Sequence, residues 1–239
     1  METINFLLGY NDLKIVQEES KFCFSLDSVL LPNFVTLNKN INKILDIGTG
    51  NAPIPLILTK KTTANIVGIE IQKDVYELAK KSIEINKLEN KIHIINEDIN
   101  DYYLKEETDT YDVIVSNPPY FKVNQNSNFN ESDYKTLARH EKTLNIEQLF
   151  KISRKLLKNN GVVAIVNRPE RLIEIIEAMK NNNIEPKKIQ FVYPKKDKEA
   201  NILLIEGRKN GKSGVKILPP LYVHEIDGNY TKEVQKYFS

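Results

Sequence analysis

The sequence predicts an α/β fold, a mostly parallel sheet of seven strands with helices on both faces. Three observations carry this. Short apolar runs such as Ile44 to Ile47, Ile66 to Ile69 and Val113 to Val115 alternate with longer stretches of helical period. The runs are nearly continuous in apolar residues, as in strands buried on both faces. The length of 239 residues suits one such domain with an extension and can bury a substantial core.

Taken in order, residues 5–17 alternate around the turn signal Gly9-Tyr10-Asn11-Asp12 and predict an N-terminal β-hairpin. Residues 27–34 read as a brief amphipathic helix. Ile44 to Ile47 is the first strand of the main domain, Gly48 to Asn51 a glycine-bearing turn, and Pro53 to Lys60 a helix whose first turn accommodates proline. Ile66 to Ile69 follows as a strand. Asp74 to Leu88 is a helix with Asp74 as its cap and Glu77 three residues later. Ile92 to Ile95 and Val113 to Val115 are the third and fourth strands. Asn145 to Lys158 carries Leu149, Ile152, Leu156 and Leu157 at helical spacing and stops near Gly161. Gly161 to Val166 is the fifth strand, Arg168 to Lys180 a helix, and Lys188 to Tyr193 and Asn201 to Glu206 the last strands. The link between these two is too short for a crossover, so an antiparallel edge is expected. Residues 1–42 then form an extension over the ligand pocket, and residues 43–239 the main domain.

Composition excludes more than it selects. With 34 Lys plus Arg against 32 Asp plus Glu, the net charge of +2 advertises no partner. Arginine supplies only five of the basic residues, so lysine abundance reflects a general bias, and charge arguments must rest on position. Residues 97–133 hold nine acids and two lysines, net −7; residues 186–217 hold nine bases and three acids, net +6. The basic stretch, with Lys195 and Lys196 in its loop, is a candidate phosphate-contacting surface, to be weighed against a solvated lysine-rich face. The lone cysteine, Cys23, suits a reducing compartment. No run approaches the ~18 apolar residues that span a bilayer. A cytoplasmic monomer is expected, off the membrane. His93, His140 and His224 are too scattered for a metal site, and none is assigned.

In parallel α/β sheets ligands bind beyond the carboxyl ends of the strands. Asp46-Ile-Gly-Thr-Gly-Asn-Ala-Pro53 leaves the first strand and enters a helix, and Gly48 and Gly50 let the backbone turn tightly beside a ligand. Glu70 ends the second strand, placed to accept from the ribose hydroxyls of a nucleoside cofactor, with Ile71 beside it. Asp98, after the third strand, can accept from an adenine amino group. A dinucleotide would fit a glycine loop with a distal acid too. Against it, Pro53 replaces the third glycine of that fingerprint, and the Asp46 carboxylate would repel a pyrophosphate but attract a cationic sulfonium. The balance favours S-adenosylmethionine.

Asn117-Pro-Pro-Tyr120 follows the fourth strand. Pro118 and Pro119 lack N–H groups and force extended backbone before them. The Asn117 side-chain oxygen and the Pro118 carbonyl can accept both hydrogens of a planar NH2 group. That favours a pyramidal nitrogen, whose freed lone pair attacks a methyl group in line. Tyr120 can stack on an extracted base.

These motifs, over roughly residues 44–206, resemble the class I S-adenosylmethionine-dependent methyltransferases that carry Asn-Pro-Pro-Tyr and act on planar amino nitrogens. The resemblance implies a Rossmann-like fold, cofactor contacts at Asp46, Gly48, Glu70 and Asp98, and catalysis at Asn117 to Tyr120. Ala52 departs from the family's frequent third glycine. In the flanks, Gln17 to Phe24, Asp27 with Leu30-Leu31, Phe121, Ala138-Arg-His-Glu141, Leu218-Pro-Pro-Leu221 and Tyr230-Thr231 are similar to the tRNA1(Val) adenine N6-methyltransferases, which modify the adenine beside the anticodon. That likeness implies tRNA as partner and places Phe24 and Asp27 over the cofactor pocket. Phe121 and Arg139 become candidate substrate contacts, with a loop-anchoring cluster the alternative for Arg139 to Glu141. Residues 121–136 are aperiodic and asparagine-rich, a candidate lid or a solvated insertion. A protein glutamine, guanine N2 or DNA adenine offers the same chemistry, but only about 42 residues precede the first strand, and no room remains for a DNA-recognition domain. A non-catalytic RNA-binding module would not need the intact Asn117 motif.

Overall fold

In the computed structural model, which describes residues 2–18, 25–118 and 144–238, the apolar runs become strands of one sheet. β1 (Glu2–Leu7) and β2 (Tyr10–Glu18) pair apart from it as an antiparallel hairpin. The main sheet contains β3 (Lys43–Ile47), β4 (Asn65–Glu70), β5 (Ile92–Asn96), β6 (Tyr111–Ser116), β7 (Leu157–Asn167), β8 (Ile184–Tyr193) and β9 (Ile202–Lys209). Two-residue strands β10 (Lys216–Ile217) and β11 (Leu221–Tyr222) complete it. The order is β10-β8-β9-β7-β6-β3-β4-β5, with β11 also on β8.

From β5 to β7 every pairing is parallel. The last two long strands pair antiparallel as expected, but the reversed strand lies inside the sheet: β9 is inserted between β7 and β8 and runs against both. The outer side of β8 is covered in turn by β10 and β11, whose two residues each are too few to leave a period in sequence.

Seven helices are described: α1 (Leu26–Phe34), α2 (Pro53–Leu58), α3 (Lys73–Asn86), α4 (Ile99–Lys105), α5 (Ile146–Leu156), α6 (Leu172–Asn181) and α7 (Lys232–Gln235). The cap of α3 is Gln72, and Asp74 falls in the first turn, where its charge still meets the helix dipole. α6 begins later than expected because Pro169–Arg171 forms a 3-10 turn ahead of it. α4 is too short and too mixed to show in the sequence.

Neighbouring residues along a strand face opposite sides of the sheet. Ile44, Val113, Val115, Ala164 and Leu204 accordingly join α1 and α2 in one core, while Leu45, Ile47, Ile114, Ile165 and Ile205 join α5 and α6 in the other. The N-terminal elements are bound firmly to this frame. Val16 N–H donates to Ser82 Oγ at 2.9 Å, and the Asn86 side chain bonds both backbone groups of Lys14. At the end of α1, Thr36 N–H donates to Glu206 Oε2 at 2.7 Å and Lys188 Nζ to the Phe34 carbonyl at 2.6 Å, with Lys188 and Glu206 3.2 Å apart. No described helix is long and apolar enough to cross a membrane.

Candidate active site

The loop leaving β3 turns through left-handed backbone at Gly48 (φ 71°) and Gly50 (φ 59°), a conformation that favours glycine. A Cβ at either would meet nothing within 4 Å, so the backbone, not crowding, requires glycine, and the space beside the loop is open. Ala52, where a third glycine is frequent, is also left-handed (φ 71°) and fully buried. Its Cβ strains the turn by about 1 kcal/mol. Asn51 Nδ2 donates to the Val16 carbonyl at 3.0 Å and ties the loop to the hairpin.

Asp46 and Glu70 stand at this loop, and Asp98 follows β5 at the same edge of the sheet. Asp46 is fully buried and accepts from Thr49 Oγ1 at 2.6 Å through Oδ2, while its Oδ1 is buried without a hydrogen-bond partner. Burial pushes its carboxyl up to about 7, against the lowering effect of the Thr49 bond and with a smaller upward push from Glu70. A buried oxygen left unmatched, one turn from an open glycine cradle, fits a ligand that brings positive charge. Glu70 Oε2 accepts from Gly50 N–H at 3.0 Å and Oε1 from Gln72 N–H at 2.9 Å, so this side chain braces the loop as well as facing it. Ile71, just beyond, is 40% exposed, an apolar surface on which a flat ring can lie. Asp98 caps α4, its Oδ1 accepting from the Asn100 backbone at 2.8 Å and the Asn100 side chain at 2.9 Å.

Asn117 enters from the next strand. Ile47 is registered with Ser116, and Ser116 Oγ donates to the Ile47 carbonyl at 2.8 Å. The following residues, Gly48 and Asn117, therefore leave the sheet side by side. Asn117 Nδ2 lies 3.4 Å from Ser28 Oγ on α1, and Pro118 is buried. Asp27, next to Ser28, is buried at 7% exposure. Phe24, Pro119, Tyr120, Phe121, Arg139 and His140 lie outside the described residues, as does the segment 121–136.

A family model described as a methyltransferase domain matches residues 38–215. The chain belongs to this family. A tRNA1(Val) (adenine(37)-N6)-methyltransferase of Parabacteroides distasonis is 33% identical over 180 residues, 75% of this chain and 74% of that protein. One of the same name from Flavobacterium psychrophilum is 25% identical over 232 residues, covering 95% of each. Among solved structures, a protein described as a predicted O-methyltransferase from Agrobacterium tumefaciens aligns with a TM-score of 0.72 at 18% identity, over 89% of this chain and 95% of that one. The fold is the Rossmann-like class I methyltransferase fold, shared with a geranyl diphosphate methyltransferase solved in complex with SAM, which aligns at 11% identity and a TM-score of 0.57 over 77% of this chain and 84% of that one.

Two residues of this methyltransferase's site were not apparent in the sequence. Asn96 Nδ2 donates to the carbonyls of Glu70 at 2.8 Å and Ile71 at 3.1 Å, fixing the rim of the cofactor end. Its signal was a polar residue ending β5 in register with Glu70. Ser28 had none beyond its place next to Asp27. The basic stretch also divides. Lys188 is engaged as above, and Lys209, 4% exposed, bonds Asp109 and the Leu157 carbonyl. Lys195 and Lys196 remain toward solvent in the loop after β8, on the same carboxyl edge of the sheet as Asn117, with Asp227 close enough to Lys195 to feel its charge. No cluster of metal-ligating side chains occurs among the described residues.

Proposed function

We propose that this enzyme methylates the N6 amino group of adenine 37 in tRNA1(Val), working in the cytoplasm as a metal-free monomer. The observation that carries the chemistry is that Asn117 leaves the sheet beside the glycine loop, so the acceptors for a planar amine stand next to the seat for a methyl donor. The names of the relatives supply the substrate.

The cofactor supplies an electrophilic methyl group on a cationic sulfur. Asp46, Gly48, Gly50, Glu70, Ile71 and Asp98, with Phe24 and Asp27, would hold it: the acids would accept from its hydroxyl and amino donors, and Asp46 would balance its positive charge. Asn117 Oδ1 and the Pro118 carbonyl accept the two hydrogens of the adenine amine and draw its lone pair out of conjugation. The lone pair freed by Asn117 and Pro118 would form the N–CH3 bond with the methyl group the cofactor would supply, the S–CH3 bonding pair leaving with the neutral thioether. The methylated nitrogen, now cationic, loses one proton to solvent and needs no strong base. Pro119 brings no N–H donor to the turn, Tyr120 stacks on the extracted base, Phe121 is a further substrate contact, and Arg139, Lys195 and Lys196 contact phosphates.

The test is methyl transfer from labelled S-adenosylmethionine to a tRNA1(Val) transcript and to the same transcript with guanine at position 37. Incorporation of one methyl group per molecule in the first and none in the second is expected. Equal incorporation in both would move the target elsewhere.

A further inference from the structure

For Asn117 to accept a hydrogen bond from the substrate amine, its carboxamide must point Oδ1 at the substrate and Nδ2 away. The two orientations differ by a half-turn about one bond, and the wrong one opposes NH2 to NH2, donor to donor. The group standing on the Nδ2 side is Ser28 Oγ, at 3.4 Å. Ser28 is 3% exposed and sits in the first turn of α1, where its N–H donates to the Ser25 carbonyl at 3.1 Å. A hydroxyl in that position has lone pairs to offer this N–H donor.

The position of Ser28 is itself secured. The far end of α1 is held by Lys188 and Glu206 through Phe34 and Thr36, and Lys188 Nζ stands 4.4 Å from the centre of the Phe34 ring. Asn117 is held from the opposite side by the Ser116 bond to Ile47. The two side chains thus meet between rigid supports, one on the helix of the N-terminal extension and one on the central strand.

We infer that Ser28 is a positioning residue that holds the Asn117 carboxamide with Nδ2 toward α1 and Oδ1 toward the substrate, so that the N-terminal extension takes part in the chemical step. This rests on the acceptor role proposed above for Asn117. It makes α1 more than a cover: a helix outside the main sheet sets which atom of the catalytic amide meets the substrate.

The experiment compares wild type, Ser28→Ala, Ser28→Thr and Asn117→Asp by single-turnover methyl transfer, with cofactor affinity and melting temperature measured on each. Ser28→Ala is expected to lower the rate about ten- to hundredfold while cofactor affinity stays within about threefold, because the loss is in alignment rather than binding. Ser28→Thr, which keeps the hydroxyl, should recover most of the rate. A carboxylate at 117 has two equivalent oxygens and no orientation to choose, so Ser28→Ala should cost little in the Asn117→Asp background. Wild-type rate in Ser28→Ala would overturn the inference. So would a loss that Thr does not recover, or an equal loss in the Asn117→Asp background. A wild-type enzyme inactive on tRNA adenine would instead count against the proposed function, and the two failures are read from different samples.

Discussion

Asp46 gives the sharpest residue-scale consequence. Its carboxyl titrates near 7 in the folded protein against an ordinary value of 3.8, so the folded state holds this proton more tightly than the unfolded chain. Its contribution is therefore fully present below about pH 4 and is lost as the pH rises to 7, at about 1.4 kcal/mol per pH unit. Denaturant titrations of the cofactor-free protein between pH 5 and 8 should show this decline, and Asp46→Asn should flatten it. An Asp46→Asn protein with an unchanged pH slope would remove Asp46 as its origin. A cationic ligand favours the ionised form, so S-adenosylmethionine should bind more tightly as the pH rises through 7, and calorimetry at pH 6 and 8 reads that directly. At Asn117 the expectation is different in kind: Asn117→Ala abolishes turnover but leaves cofactor affinity within about threefold, since only the interactions with the reacting nitrogen are lost. Retention of wild-type turnover would contradict the assigned role.

Among the elements, α1 illustrates what sequence can and cannot reveal. Its extent was legible, because Asp27 to Phe34 is an apolar run with helical spacing. Its attachment was not: the half-buried Lys188 and buried Glu206 lie more than 150 residues away, on strands that local pattern cannot bring together. The inserted β9 was hidden for the same reason, since a short link shows that two strands pair but not which neighbour the second one finds. By contrast the glycine turn after β3 was readable residue by residue, because left-handed backbone leaves a direct mark on residue choice. Ala52 is the exception that the mark would have missed. The α1 anchor is testable: Lys188→Met leaves the Glu206 carboxylate buried without its cationic partner and should cost about 3 kcal/mol in chemical denaturation. Adding Glu206→Gln should return part of that loss. A Lys188→Met protein as stable as wild type would show the pair to be dispensable.

Across the whole molecule, the net charge of +2 conceals an uneven distribution, and the structure divides it further. The acidic stretch contains Asp98 at the cofactor end, while the basic stretch is partly internal, with Lys188 and Lys209 turned into the fold. On the carboxyl edge of the sheet, the loop after β8 is what this stretch offers a polyanion. Replacing Lys195, Lys196 and Lys198 together by Glu should weaken tRNA binding and lower the dependence of log affinity on log salt by up to about 3, one phosphate contact per residue. An unchanged slope would make that loop an ordinary solvated surface.

The proposed acceptor of the methyl group is an adenine amine of tRNA. Labelled S-adenosylmethionine supplied with the enzyme to an extract of cells lacking it, followed by nucleoside and amino-acid analysis, measures this directly. Label in N6-methyladenosine of the tRNA fraction and none in protein is expected. Label on a glutamine side chain or on guanine N2, with no N6-methyladenosine formed, would contradict it.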